Sequence, residues 1–329
     1  MKKNKKLRVA FIGCGGISGR HAAALSADRR VEITHLVDTS SKSLKAFKKR
    51  FPNLADLPEC TDYRKVLGHV NAVSINSPHT THYQQIMDSL DHGLHVLCEK
   101  PLACTGLHAK NIVAKVKQTR RKLQIAYQRK ASAGFRLVHD LIKSGEIGRL
   151  QYISVIQCQQ WKHFTRGTWR QDPKLSGGGQ INDSGSHLVD MLLFFANQKP
   201  KSVTAFCDNR GTKVDIDTAA NVLFDKGAIA SISVIGDAHQ WHETWYVVGS
   251  KATLRIDGET LSRIDGPSGE PRPVPPPKKS VTDITTNWVD AIFGKAKLMS
   301  PAKDVLGVVK LTEAIWNSAA AGGKPVKIK

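Results

Sequence analysis

The sequence lacks any hydrophobic run long enough to cross a membrane. A spanning helix needs about 20 apolar residues, and every apolar run in this 329-residue chain is interrupted well before that length. Acidic residues are also scarce: 28 Asp and Glu stand against 49 Lys and Arg, which leaves a formal net charge of +21. Because no run is long enough to span a membrane, we expect no membrane partner. The net positive charge raises the question of an anionic partner.

The basic residues lack the patterns that accompany nucleic-acid binding. No recognition-helix pattern, zinc-finger spacing or RNA-binding aromatic signature goes with them. Many instead fall on predicted helix surfaces at 42–50 and 115–122, and five stand at the N-terminus, namely Lys2, Lys3, Lys5, Lys6 and Arg8. We interpret the charge as a solvated basic surface, and nucleic acid is not an expected partner.

Cysteine and histidine lack the spacing of disulfide frameworks and metal sites. The six cysteines are scattered and none forms a C-x-x-C pair, so we expect reduced thiols and a cytoplasmic location. The Lys-rich start does not predict a signal peptide, because Arg8 interrupts the apolar run and no small-residue cleavage site follows. His79 and His82 have no carboxylate or cysteine to complete a ligand set, so we expect no metal.

Residues 1–127 alternate predicted strands with predicted helices. The strands are predicted at 7–12, 31–37, 72–76, 95–98 and 123–127, and the helices at 17–26, 41–51, 80–92 and 106–119. This alternation predicts a doubly wound parallel sheet, because parallel strands need helical crossovers. Ligands of such sheets bind beyond the carboxyl ends of the strands.

A glycine-rich loop follows the first predicted strand. Gly13, Gly15, Gly16 and Ile17 stand between that strand and the next helix, which is the context required by a dinucleotide-binding fingerprint. Gly13 permits a tight turn, and Gly15 lets a pyrophosphate approach the backbone at the helix N-terminus. Ser18 occupies the third small position in place of Gly or Ala. The loop predicts a dinucleotide cofactor.

Asp38 ends the second predicted strand, 20 positions after Ser18. An acid there accepts hydrogen bonds from the adenosine ribose and repels a 2′-phosphate, which favours NAD over NADP. Lys42, next to Ser40 and Ser41, keeps NADP open, because a nearby cation accommodates the extra phosphate. Asp38 is alternatively the N-cap of the helix predicted at 41–51.

Three further motifs carry a family resemblance. Glu99-Lys100-Pro101 follows a predicted strand, three glycines stand at 177–179, and residues 183–190 read D-x-G-x-H-x-x-D. With the glycine loop, they make the chain resemble the Gfo/Idh/MocA oxidoreductases over essentially its whole length. The resemblance implies an α/β protein: an N-terminal Rossmann domain that binds a nicotinamide cofactor, and a C-terminal α+β domain with a large open, mostly antiparallel sheet.

We expect these domains at 1–127 and 128–329, with a C-terminal helix near 302–320. Short strand-like runs at 150–159, 202–207, 219–224, 229–235, 245–248 and 252–256 agree with the second sheet. Residues 267–277 hold six of the 14 prolines and predict an extended surface loop. An open sheet face is usually covered in an oligomer, so we expect a homodimer or homotetramer.

The resemblance assigns catalysis to Lys100, Asp183 and His187. Lys100 is implied to contact the substrate hydroxyl and the cofactor, where a cation stabilises a developing alkoxide. His187 has the residue type whose pKa suits proton transfer near neutrality. Its helix is expected to begin near Gly185, with Asp183 at or just before the start, so that Asp183 orients the imidazole or binds a substrate hydroxyl.

Other polar and aromatic residues complete the candidate site. Cofactor contacts are expected from residues at or just beyond the strand ends, which are Asn76, Ser77, His82, Glu99 and Lys100. Substrate contacts are expected from Lys100, Asp183 and His187 and from residues whose aromatic faces or forked donors suit a sugar ring, which are Arg129, Trp161, Trp169 and Arg170.

The expected function is hydride transfer between NAD(P) and a secondary hydroxyl or ketone of a sugar, sugar derivative or cyclitol. Two alternatives remain open. One is a glycosidase or lyase that retains NAD and acts through transient oxidation, using the same residues. The other is a non-catalytic regulator that senses a sugar or NAD, in which the net charge contacts DNA.

Overall fold

The computed structural model describes residues 6–266, 269–275 and 282–328. Its contacts divide the chain into two compact units. The first unit comprises Met1–Ala103, Leu107–Tyr127 and Thr282–Leu306, and the second comprises Cys104–Gly106, Gln128–Val281 and Gly307–Lys329. The division after Tyr127 falls where the sequence analysis puts the domain boundary, whereas residues 282–306, which that analysis assigned to the second domain, belong to the first unit.

The first unit is built on a six-stranded parallel sheet with the order β3-β2-β1-β4-β5-β6. Its elements are β1 (Leu7–Ile12), α1 (Ser18–Ala27), β2 (Val31–Val37), α2 (Ser41–Arg50), β3 (Glu59–Cys60), β4 (Ala72–Ile75), α3 (His82–Asp91), β5 (His95–Cys98), α4 (Gly106–Thr119) and β6 (Leu123–Ile125). The sheet order confirms the doubly wound Rossmann architecture.

Apolar runs explain why the central strands lie inside this unit. Phe11 and Leu36 are fully buried in one cluster, as expected for parallel strands covered on both faces. The same cluster contains Trp288 and Val289, which belong to a later helix at Ile284–Ile292. Residues 282–306 join the first unit because that helix buries its apolar side in the unit's core.

The second unit is built on a nine-stranded sheet with the order β14-β13-β12-β11-β7-β10-β9-β8-β15. All its neighbouring strands are antiparallel except the β7–β10 pair. Its elements are α5 (Ala133–Lys143), β7 (Leu150–Cys158), α6 (Trp161–Phe164), α7 (Pro173–Ser176), α8 (Gly185–Ala196), β8 (Pro200–Asp208), β9 (Asp217–Phe224), β10 (Ile229–Ile235), β11 (His242–Gly249), β12 (Ala252–Asp257), β13 (Thr260–Asp265), β14 (Arg272–Pro273) and β15 (Val326–Lys327). The helix of 284–292 is α9, and α10 is Ala302–Ala320.

The two faces of the second sheet differ. Helix α8 packs against β7 and β10 on one face. On β7, β8, β9 and β11 every second residue points the other way, and large apolar side chains on that side remain exposed: Ile156, Phe206, Leu223 and Tyr246. This is the mostly antiparallel sheet with an open face that the family resemblance implies.

Some residues named above lie outside the described ranges. Lys2, Lys3 and Lys5 lie outside them, as do residues 267, 268, 276 and 277 of the proline-rich loop. Within that loop, β14 pairs with β13, so the loop contains a strand that the sequence analysis did not predict. In the part of the chain that the structure describes, none of the helices combines the length and apolarity needed to cross a membrane.

Candidate active site

Gly13 fixes the loop between β1 and α1. Its N–H donates to the carbonyl oxygen of Val37 at 2.8 Å, which ties the loop to the end of β2. Its φ is +91°, and a Cβ there would lie 2.7 Å from the carbonyl carbon of Asn76 and from the nitrogen of Ser77. Because three strand ends meet at this point, the fold itself requires glycine at position 13.

Gly15 and Gly16 differ from Gly13, since the fold does not require them. Neither has a positive φ, and a Cβ on either would meet no atom of the described residues within 4 Å beyond its chain neighbours. The neighbouring Ile17 is 39% exposed at the start of α1, and Ser18 donates to the Gly15 carbonyl at 2.6 Å. Bare backbone at a helix N-terminus fits the close approach of a pyrophosphate.

Asp38 is held beside this loop by its own hydrogen bonds. One carboxylate oxygen accepts from the N–H of Cys14 at 2.8 Å, and the other accepts from the N–H of Ser40 at 2.8 Å. The N-cap of α2 is Ser40, which accepts from Ser43, so the alternative interpretation of Asp38 as that cap is wrong. Burial, reinforced by the Asp38 charge, raises the pKa of the Cys14 thiol to about 12.

His82 lies behind the strand ends, and its side chain is fully buried. Its Nδ1 is 2.8 Å from the carbonyl oxygen of Pro101, and its Nε2 is 3.0 Å from that of Ser77. Burial lowers the pKa of His82. The ring of His82, a predicted cofactor residue, therefore links the chain at Ser77 to the chain at Pro101. The Ser77 hydroxyl forms hydrogen bonds with Thr81 and Gln85. The side-chain amide of Asn76 donates to the carbonyl oxygen and the hydroxyl of Ser74.

Glu99 turns into the interior of the first unit rather than toward its surface. Its Oε1 lies 2.9 Å from Nε2 of His21, and Nδ1 of His21 lies 2.8 Å from Thr285 Oγ1. Its Oε2 accepts from the backbone N–H of Lys100 at 3.2 Å. Burial alone would raise the pKa of Glu99, but the hydrogen bond and charge of His21 hold it below its ordinary value.

Sequence analysis missed His21 and Thr285 as partners of the Glu99-Lys100-Pro101 motif. They lie 78 residues before and 186 residues after Glu99 in the chain, respectively, so no local pattern connects them. The only available signal was a histidine on the buried side of α1, a helix otherwise rich in alanine. Together they fix the backbone from which Lys100, partly exposed, extends.

In the second unit, three predicted substrate residues gather at Asp183. The buried Asp183 carboxylate accepts from the Trp161 indole N–H at 2.8 Å and from Arg170 Nε at 3.0 Å. The Arg170 guanidinium also lies over the ring of Trp169, 4.6 Å from its centroid. Sequence analysis predicted these four residues for one site, and the structure brings them together.

Helix α8 carries the rest of the D-x-G-x-H-x-x-D motif. It begins at Gly185, and Asp183 stands two residues before it, as expected. His187 is partly exposed, whereas Ser186, Leu188, Val189 and Asp190 are buried. Among residues 186–190, His187 is therefore the residue whose side chain solvent or a ligand reaches.

Asp190 anchors α8. Its Oδ1 lies 2.7 Å from Nζ of Lys130, and the two side chains are only 2% and 6% exposed. The adjacent Arg129 forms a two-pronged ion pair with Glu243 at 2.5 and 2.7 Å. Arg129 was predicted to bind substrate, and this pairing favours a structural role for it instead.

The triple glycine is explained by packing. Gly177 ends α7 in the left-handed conformation. A Cβ on Gly178 would lie 2.3 Å from the Trp316 ring, and one on Gly179 would lie 1.9 Å from the carbonyl oxygen of Asp215. Neighbouring protein atoms therefore account for glycine at 178 and 179.

Metal ligands do not cluster in the described ranges. No group of three or more His, Cys, Asp or Glu in residues 6–266, 269–275 and 282–328 has the arrangement to hold a metal ion. The six cysteines, all within those ranges, are free thiols.

Two stretches of the chain match known families. Residues 7–127 match the oxidoreductase family with NAD-binding Rossmann fold, and residues 135–255 match the GFO/IDH/MocA C-terminal domain. Together the two matches cover most of the chain and both of its units.

Curated relatives and solved structures agree with these matches. The chain is 26% identical over 235 residues to 1-carboxy-3-chloro-3,4-dihydroxycyclo hexa-1,5-diene dehydrogenase of Comamonas testosteroni, covering 71% of this chain and 59% of that protein. It is 28% identical over 239 residues to glucose-6-phosphate 3-dehydrogenase of Bacillus subtilis, covering 66% and 61%. These matches thus span about 60% of the length of either relative.

The crystal structure of aldose-aldose oxidoreductase from Caulobacter crescentus, complexed with glycerol, shares the fold, with a TM-score of 0.85, 21% identity and coverage of 98% of this chain and 100% of that one. The chain belongs to the Gfo/Idh/MocA oxidoreductase family, and its residues 7–127 are an NAD-binding Rossmann domain.

Proposed function

We propose that this protein is an NAD-dependent dehydrogenase that acts on a secondary hydroxyl or ketone of a sugar, sugar derivative or cyclitol. The observation that carries the proposal is the arrangement at Asp183. A buried carboxylate, fixed by Trp161 and Arg170, stands two residues before the helix that presents His187. The NAD-binding Rossmann domain and the dehydrogenases named above support it.

NAD, when bound, supplies the hydride acceptor. The residues that fit it are Gly15, Gly16 and Ile17, whose backbone and exposed side chain line the N-terminus of α1. Asp38 fits the adenosine ribose, because its carboxylate is already oriented beside the loop by Cys14 and retains lone pairs for two hydroxyls. A fixed negative charge there favours NAD over NADP.

We assign proton transfer to His187 and Lys100. Oxidation of an alcohol requires a group that takes the hydroxyl proton, and a partly exposed histidine does this near neutral pH. Lys100 stabilises the alkoxide that develops as the proton leaves. His21 and Glu99 hold the Lys100 backbone from behind.

We assign substrate recognition to the residues around Asp183. The Asp183 carboxylate, held in place by Trp161 and Arg170, accepts a substrate hydroxyl. Trp169, with the Arg170 guanidinium over its ring, offers the aromatic surface and the forked donor that suit a polyhydroxylated ring.

The assembly and location are further parts of the proposal. The exposed apolar side chains of Ile156, Leu223 and Tyr246 on the open sheet face support a homodimer or homotetramer that covers them. A monomer in size-exclusion chromatography with light scattering would contradict this. Six free thiols support a reducing, cytoplasmic location.

A substrate panel tests the function. The protein is incubated with NAD and neutral or anionic sugars and cyclitols, and with NADH and ketoses, while absorbance at 340 nm is followed. We expect NADH to form, or to be consumed, with at least one compound. Sugar release without net NADH would identify an NAD-retaining glycosidase or lyase. Salt-sensitive DNA binding without turnover of any compound would identify a regulator.

A further inference from the structure

A pocket of about 560 Å³ lies wholly within the second unit, apart from the residues assigned to catalysis. It is lined by the triple-glycine segment, by the loop between β8 and β9, and by the end of α10. The residues that define its chemistry are Gly177, Gly178, Asn209, Lys213, Asp215 and Trp316. We call it the Trp316 pocket.

One wall of the pocket is a rigid aromatic ring. The indole N–H of Trp316 donates to the Asp215 carboxylate at 2.9 Å, and the ring lies directly against Gly178. Asp215 is itself fixed, since it also accepts from the N–H groups of Gly179 and Ile181 at 2.8 and 2.9 Å. Trp316 remains partly exposed, so part of its ring faces the pocket. A fixed ring binds a ligand without first losing rotamer freedom.

The polar groups of the pocket are a cation and an amide. Lys213 and Asn209 are both exposed residues of the β8–β9 loop that line it. Asp215 also lines it, but its carboxylate is buried and accepts three N–H groups, and burial raises its pKa. Lys213 therefore sets the sign of charge that the pocket prefers, which is negative.

The pocket adjoins the Asp183 site through one chain segment. Pro173, Gly177 and Gly178 line the pocket, while Arg170, a few residues earlier, bonds to Asp183. The backbone N–H of Asp183 donates to the carbonyl oxygen of Gly179 at 3.1 Å, so a single hydrogen-bonded turn separates the two.

We propose that the Trp316 pocket binds the part of the substrate remote from the oxidised carbon, namely a second pyranose ring or ring substituent that bears a carboxylate or phosphate. The ring packs on Trp316, and the anion pairs with Lys213. In naming this ligand as part of the substrate, the inference rests on the proposed sugar dehydrogenase function.

Calorimetric titration of the full chain with NAD present tests the pocket. The probes are methyl β-D-glucuronide, which carries a carboxylate, glucose 6-phosphate, which carries a phosphate, and neutral methyl β-D-glucoside. We expect Lys213→Gln to weaken binding of at least one anionic probe by about tenfold or more and to leave the glucoside unchanged. The anionic probe that responds identifies the group. Lys226→Gln, on an exposed turn outside the pocket, is the control and is expected to change nothing.

Two further variants separate the pocket from its neighbours. Trp316→Leu is expected to weaken all three probes, and His187→Ala is expected to leave Lys213-dependent binding intact. The proposal is overturned if Lys213→Gln binds both anionic probes as tightly as the native protein does. It is also overturned if the native protein binds neither anionic probe at millimolar concentration. Both outcomes can be read even if Trp316→Leu fails to fold. Lys213-dependent binding in a protein that turns over no sugar supports the pocket and counts against the proposed dehydrogenase function.

Discussion

Gly13 and Gly15 offer a way to separate folding from cofactor binding within one loop. A Cβ on Gly13 would lie 2.7 Å from the backbone of Asn76 at a φ of +91°. A Cβ on Gly15 would meet no atom of the described residues within 4 Å beyond its chain neighbours. Gly13→Ala is therefore expected to damage the fold, and Gly15→Ala to block only what approaches the loop from outside.

The magnitudes follow from these two environments. A left-handed conformation disfavours an L-residue by about 1–2 kcal/mol, and a methyl group forced into packed backbone adds about 1–3 kcal/mol. Gly13→Ala is thus expected to lower the melting temperature by roughly 4–20 °C, at about 2–4 °C per kcal/mol. Gly15→Ala is expected to change stability by less than about 1 kcal/mol and to weaken NAD binding about tenfold or more, because the methyl group displaces the pyrophosphate.

Thermal melts followed by circular dichroism and calorimetric titration with NAD measure the two effects. Gly68→Ala is a matched control, since a Cβ there also meets no described atom and its φ is not positive. It is expected to leave both the melting temperature and NAD affinity unchanged. The reasoning is refuted if Gly15→Ala binds NAD as tightly as the native protein, or if Gly13→Ala melts at the native temperature.

Three further predictions concern single interactions. Lys130→Met or Asp190→Asn is expected to lower the free energy of unfolding by about 3–5 kcal/mol in urea titrations, because each removes one partner of a buried ion pair; the double variant Lys130→Met/Asp190→Leu recovers much of this, and single variants of native stability would contradict it. Burial and two neighbouring cations lower the pKa of His95 from 6.5 to about 4. The unfolded chain therefore takes up the proton first, and stability falls as the pH drops from 6.5 toward 4, by about 1 kcal/mol given partial exposure; His95→Gln is expected to lose less between pH 7 and pH 5. Asp38→Ala is expected to weaken NAD binding about tenfold or more and NADP binding much less, and equal losses would argue against the ribose contact.

The Rossmann sheet was predictable because its strands are buried on both faces. Mostly apolar runs such as Leu7–Ile12 and His95–Cys98 give strands with the predicted bounds. The strand Glu59–Cys60 was missed, since it has two residues and no apolar pattern. In the second sheet, the strand Thr260–Asp265 was missed because polar and charged residues separate its two apolar residues and because it lies next to the proline-rich loop.

The candidate site was predictable only in part. Local motifs identified Gly13, Asp183 and His187, and the pairing of Asp183 with Trp161 and Arg170 agrees with that selection. The contacts that hold the motifs were not predictable, because they join distant segments. The bond from His21 to Thr285 spans 264 residues.

Pairing also changed the interpretation of Arg129 and His82. Sequence shows that a residue is basic and near a strand end, but it does not show that Glu243 takes both prongs of the Arg129 guanidinium. It likewise does not show that each ring nitrogen of His82 lies within hydrogen-bond distance of a backbone carbonyl oxygen. Burial of a polar side chain is a property of the packed unit, so motif position alone does not reveal the protein contacts of such residues.

The most direct test of the central claim is the rate of sugar-dependent NAD reduction in Lys100→Met and His187→Ala, measured at 340 nm beside calorimetric NAD binding. The substrate is whichever sugar the native protein oxidises. We predict that each variant loses at least about a hundredfold in rate, the lower range for removal of a general base, while His187→Ala binds NAD with near-native affinity. Native turnover in both variants would contradict the assigned chemistry.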